Sequence, residues 1–165
     1  MKKILLGAVA AIMLAAPLNA QNSMQTKDEF QLSTPYPIGQ PNTANAQYFS
    51  GDSWLAPMDA EHGGPVNVTF APGCRNHWHI HHHCVQVLIC VAGRGWYQEW
   101  GKPAVEMTPG TVIVIPEGVK HWHGATADSW FQHLAYMTNV SPNRRNEWLE
   151  PVTNEQYSRC GISEQ

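Results

Sequence analysis

Gly73-Cys74-Arg75-Asn76-His77-Trp78-His79-Ile80-His81-His82-His83-Cys84-Val85-Gln86 holds five of the chain's nine histidines, and three more follow at His121, His123 and His133. A β-strand sends alternate side chains to one face, so His79 and His81 point the same way, as do His121 and His123. Two neighbouring strands carrying such pairs can converge on one ion. His82 and His83 extend the run on alternate faces and read as a solvated tract, with at most His83 turned inward beside His81.

Around this run, short apolar stretches alternate with Gly and Pro breaks: Val66 to Phe70, Val85 to Val91, Trp96 to Trp100, Thr111 to Ile115 and Trp130 to Tyr136. Strands of that length and spacing predict an antiparallel barrel or sandwich. Val66, Val68 and Phe70 share one strand face, which predicts core, and Asn67 and Thr69 share the other, more polar face. Trp96, Trp100, Trp122 and Trp130 read as core or rim aromatics. Glu99 and Glu106, between the histidine groups, read as solvated. Near the end, Thr153-Asn154-Glu155-Gln156 has the form of a capping box and predicts a short terminal helix.

At the other end, Lys2 and Lys3 precede an apolar run from Ile4 to Ala16 and a small-residue exit at Pro17-Leu18-Asn19-Ala20. That order predicts a signal peptide over residues 1–20 and a periplasmic or secreted protein with no membrane attachment after cleavage. The run is shorter than the ~20 apolar residues of a spanning helix. Residues 21–46 are polar with scattered prolines and read as a linker or surface strap with little part in chemistry; 47–165 form one domain. Removing the two positive charges of Lys2 and Lys3 takes the formal charge from −3 to −5, and the only basic cluster beyond them is Arg144-Arg145. Nucleic acid is therefore not an expected partner. Cys74, Cys84, Cys90 and Cys160 suggest no definite disulfide pattern, and Cys84 and Cys90 read as buried small hydrophobes.

The spacing is more specific than the histidine count. Gly73 stands six residues before His79-Ile80-His81, with Gln86 and Gly93 beyond; later come Gly110, Pro116-Glu117-Gly118 and His121. In this arrangement the chain resembles the cupin superfamily, matching both of its motifs in order with Arg94 to Pro109 between them. The resemblance implies a double-stranded β-helix, the cupin jelly-roll barrel, with a divalent metal held by His79, His81, the motif's acidic position and His121. Two departures are visible: the acidic position is Gln86, and Ala125 stands where asparagine often follows the second-motif histidine. Gln86 shares strand parity with Leu88 and Cys90, an inward-looking set, so its amide oxygen can still reach the ion.

The chain is similar in particular to the manganese-dependent hydroxynitrile lyases and the carboxymuconolactone decarboxylase-related cupins, through Trp78-His79-Ile80-His81, Ala92-Gly93-Arg94-Gly95-Trp96, Lys120-His121-Trp122-His123-Gly124, His133-Leu134-Ala135 and Trp148 through Tyr157. That similarity implies proton-handling pocket roles for His123 and His133 and makes a homodimer the default assembly. Imidazoles with one amide oxygen suit manganese or iron, with zinc, nickel and copper as alternatives. The leading expectation is a metal-dependent lyase acting on a small carbonyl or hydroxylated compound. An iron-dependent dioxygenase and a non-catalytic small-molecule or metal-binding module are the competing readings.

Overall fold

A computed structural model describes residues 24–162. The signal-peptide expectation lies outside the described residues. In chain order the elements are α1 (Lys27–Ser33), β1 (Gln40–Pro41), a 3-10 turn (Thr43–Tyr48), β2 (Phe49–Ser50), β3 (Ser53–Pro57), β4 (Val66–Phe70), β5 (Arg75–Asn76), β6 (His79–His82), β7 (Val85–Gly93), β8 (Gly95–Glu99), β9 (Val105–Met107), β10 (Val112–Ile115), β11 (His121–Ala125), β12 (Phe131–Thr138), β13 (Arg145–Trp148) and α2 (Asn154–Ser158).

The strands form the two antiparallel sheets of the expected jelly-roll barrel. One runs β1-β3-β4-β12-β7-β10; the other runs β13-β6-β11-β5-β2, with β8 and β9 attached through β11. Between them lies a core built on Phe70, Leu88, Met107, Ile115, Ala125 and Phe131. Strand parity explains this choice: Gln86, Leu88 and Cys90 on β7 are all buried, each one pleat from the next.

A bulge then reverses the faces. Gln132 pairs with Ala92 but His133 pairs with Cys90, so Val91 has no partner. His133 thereby faces the same interior as Cys90, while Ala92 turns outward to pack with Phe30, Ile38 and Trp130. The strand ends at Gly93, whose φ of +69° and closeness to Trp130 leave no room for a side chain: a Cβ would lie 1.8 Å from the Trp130 carbonyl oxygen.

Residues 24–46 lie as a strap over one sheet. Thr26 and Glu29 form a capping box that starts α1, and Phe30 on that helix stacks on Trp130 at 5.5 Å. The polar face of β4 is consequently buried as completely as its apolar one. Asn67 donates to the Pro37 carbonyl at 2.8 Å, Thr69 donates to the Ile38 carbonyl at 3.4 Å, and Thr34 donates to Gln132 at 2.5 Å. Polar residues there satisfy strap carbonyls that would otherwise be buried without donors.

At the far end, the Thr153 capping box is present and Tyr157 of α2 donates to the Ala125 carbonyl at 2.7 Å, tying the helix to β11. Trp122 is fully buried with Trp78 and Val152, on the side of β11 away from the core. Trp100 is exposed, with the Lys120 ammonium 3.5 Å above its ring. Cys74, Cys84 and Cys90 are buried free thiols and Cys160 is a half-buried one.

Candidate metal centre

Sheet register brings the two histidine groups together. His79 on β6 pairs directly with His121 on β11, and β13 flanks β6 so that Asn146 lies opposite His81. The turn Pro116-Glu117-Gly118 delivers β11 to this position; Gly118 takes a φ of +80°, and its N–H donates to the His81 carbonyl at 3.0 Å. The ligand atoms of His79, His81 and His121 all lie within 4.8 Å of one another, and all three residues are buried.

Each of these rings is oriented by an acceptor at Nδ1. His79 meets the His77 carbonyl at 2.9 Å, His81 the Asn146 amide oxygen at 2.7 Å, and His121 the Val119 carbonyl at 2.9 Å. An acceptor at Nδ1 holds the single proton of a neutral imidazole there and leaves the Nε2 lone pair free, the arrangement that metal-binding histidines use. His81 Nε2 is buried and has no hydrogen-bond partner among the described residues. The Nε2 of His121 faces Gln86 Oε1 at 3.2 Å. Two lone-pair donors at that separation repel each other but are complementary to a cation, so the residues present fit a divalent ion.

The electrostatics agree. Burial, reinforced by the neighbouring rings of His121 and His81, holds His79 well below the ordinary imidazole range. Burial pushes His121 down to about 4, and it lowers His81 against the opposing hydrogen bond to Asn146. At neutral pH the cluster is uncharged and its lone pairs are available.

His123 and His133 form a second pair deeper in the barrel. The His123 ring lies 5.6 Å from that of His79, and its Nδ1 is 3.1 Å from His133 Nε2. Both are buried; burial, then His133 and the other rings, lowers His123 far below its ordinary value, and burial takes His133 down to about 3. Asn76, which strand parity gave no reason to single out, contacts His123 through both ends of its amide. Trp148 places its ring 4.8 Å from His79 and is stacked on Tyr48.

His83 does not turn inward. The strand ends at His82, and His83 takes a φ of 60° that breaks the alternation on which the inward option rested. Its side chain is 51% exposed and meets Glu117 at 3.2 Å, while His82 meets Glu147 at 2.6 Å. Glu99 and Glu106 pair with Lys102 and Arg94 at 2.5 and 3.4 Å. An open cleft of about 680 Å³ lies over Val66, Ala135 and Met137 and is rimmed by Pro142 and Arg144. Met137, which lines this cleft, is the register partner of Gln86.

The depressed histidines set the acid response. The unfolded chain takes up protons around 6.5, whereas folded His121 and His133 resist until about 4 and about 3. Between those values the unfolded state binds more protons, so stability is complete above 6.5 and falls as the pH drops below it. Urea unfolding of metal-free protein should show a midpoint that declines from about pH 7 to about pH 4.5. A flat midpoint would mean that these imidazoles are not held neutral. Gln86→Glu is expected to retain the ion, because a carboxylate keeps an accepting oxygen facing His121; metal analysis showing complete loss would place the amide's role elsewhere.

Fold and site together define a small β-barrel protein with a buried three-histidine, one-amide cradle. The chain matches the Cupin domain family over residues 66–132. It is 38% identical over 118 residues to the (R)-mandelonitrile lyase of Granulicella tundricola, an alignment covering 69% of this chain and 88% of that protein. The crystal structure of a cupin-like protein from Thermotoga maritima superposes with a TM-score of 0.67 at 35% identity, over 79% of this chain and 98% of that one. A predicted oxalate decarboxylase from the same organism shares the fold at 21% identity and a TM-score of 0.51, over 59% of this chain and 90% of that one. The chain belongs to the cupin family.

Proposed function

We propose that this protein is a divalent-metal-dependent lyase that cleaves a carbon–carbon bond next to a hydroxyl group, with cyanohydrins of the mandelonitrile type as its first candidate substrates. The observation that carries the reading is the adjacency of the neutral cluster His79, His81 and His121 to the buried His123–His133 pair. The similarity to a mandelonitrile lyase supplies the substrate class. His79, His81, Gln86 and His121 would hold the ion, which when bound supplies Lewis acidity toward a substrate oxygen. Manganese or iron suits the amide oxygen of Gln86 best.

The chain's own residues handle the proton. In cyanohydrin cleavage the hydroxyl proton passes to an imidazole, the carbonyl forms as the carbon–carbon bond breaks, and the electron pair leaves with cyanide. Cyanide then takes that proton and departs as hydrogen cyanide. His123 is the acceptor in this scheme, and His133, in contact with its Nδ1, stabilises the imidazolium that forms. The low-dielectric surroundings that keep His123 neutral at rest also make it return the proton readily.

Export directed by residues 1–20, a periplasmic or secreted location and assembly as a homodimer belong to the same proposal. Its test is benzaldehyde and cyanide release from mandelonitrile by protein stripped with a chelator and then restored with single metals. Turnover that disappears on stripping and returns with manganese or iron supports the lyase. Oxygen uptake with an aromatic or enediol substrate instead would point to a dioxygenase, and bound metal without turnover to a binding module.

A further inference from the structure

We propose that Glu99 is the counter-charge of the metal centre: it ligates nothing, but its carboxylate stabilises a divalent ion from beside His121, and Lys102 offsets part of that field. The proposal rests on the metal-holding part of the proposed function and is independent of the lyase reaction. Three neutral imidazoles and the Gln86 amide bring no negative charge to a buried dication, and a buried charge without compensation is costly. A carboxylate close to the cradle therefore bears on its affinity.

Sheet register picks out Glu99. It is the partner of His121, and Tyr97 is the partner of His123, so the β8 side chains at 97 and 99 share the face that carries those imidazoles. The residue between them shows the same alternation: Gln98 points the other way and accepts from Trp122 Nε1 at 2.8 Å, whereas Tyr97 is buried in the barrel core. The Tyr97 ring lies 5.8 Å from that of His121, and its hydroxyl donates to Glu99 Oε1 at 3.3 Å. On the other flank of the cluster, Glu147 is the partner of Ile80 and turns to His82.

The hydrogen bond from Lys102 holds the Glu99 carboxyl below its ordinary range, which keeps it ionised at neutral pH. Glu99 Oε2 is 2.5 Å from Lys102 Nζ, and the lysine side chain is 65% exposed against 25% for the glutamate. The ammonium adds a repulsive contribution toward any cation in the cradle. Removing Glu99's charge should thus weaken metal binding, and removing Lys102's charge should strengthen it. Were the pair only a brace for the turn after β8, breaking it from either side would act in one direction.

The test is the manganese(II) affinity of the full chain, by competition with a fluorescent chelator, for wild type, Glu99→Gln and Lys102→Met. Glu99→Gln should bind about 10-fold more weakly, in the range that residues outside the ligand set command. Lys102→Met should bind about 3-fold more tightly at ~0.05 M salt, and that gain should shrink at ~1 M salt, where the screening length is about 3 Å. An unchanged affinity in Glu99→Gln, or weaker binding in both variants, would overturn the proposal; complete loss in Glu99→Gln would overturn it by making Glu99 a ligand. Should Glu99→Gln fail to fold, the sign of the Lys102→Met change decides, since that side chain is solvent-exposed. Wild type that takes up no manganese removes the metal centre itself, and this role for Glu99 with it. Wild type that binds while Glu99→Gln matches it removes only the role of Glu99.

Discussion

The His79→Ala/His121→Ala double variant is expected to purify with background levels of divalent metal while the wild type carries about one ion per chain. The two residues are register partners on adjacent strands, and removing both leaves only His81 and Gln86 of the cradle. Loss of a residue that only hydrogen-bonds a ligand costs about 10–100-fold in metal affinity, so loss of two direct ligands should exceed about 100-fold. The variant should still fold, because the apolar barrel core of Phe70, Leu88, Met107, Ile115 and Phe131 keeps all of its side chains. Elemental analysis of untagged protein, with circular dichroism as the folding control, checks both statements. Full metal stoichiometry in the double variant would refute the ligand assignment.

His123→Ala is expected to behave in the opposite way, retaining metal and losing turnover. His123 makes its hydrogen bonds to Asn76 and His133, not to the cluster, so nothing that orients His79, His81 or His121 is removed. Loss of a general base of this type lowers kcat by roughly 10²–10⁴-fold. Steady-state kinetics beside metal analysis separate the cases. Metal loss would make His123 a ligand, and unchanged kcat would exclude it from proton handling.

Much of this site was legible because its donors obey strand parity and motif spacing, both local properties. His79 and His81 are one pleat apart, Gln86 shares the buried face of Leu88 and Cys90, and the turn at Gly118 precedes His121 by a fixed number of residues. What stayed hidden depends on long-range register. Asn146 orients His81 only because β13 lies beside β6, and Asn76 reaches His123 only because β5 pairs with β11 at Gly124. The orientation of His133 hangs on a bulge at Val91 that leaves no mark in apolar periodicity.

The strap shows a different limit. α1 opens on the Thr26–Glu29 capping box but buries only Phe30, too little to produce a periodic pattern. The polar face of β4 was readable as polar but not as buried, since its cover is a proline-rich segment that contributes carbonyls rather than apolar side chains. Parity also failed at His83, where a left-handed residue ends the strand one position before the histidine run does.

The most direct test of the metal centre is anomalous diffraction from crystals of the metal-loaded protein, collected on either side of the metal's absorption edge. The structure predicts one strong peak enclosed by the Nε2 atoms of His79, His81 and His121, beside Gln86 Oε1. A peak located instead at the exposed His82–Glu147 or His83–Glu117 pairs, with the buried cluster empty, would contradict it.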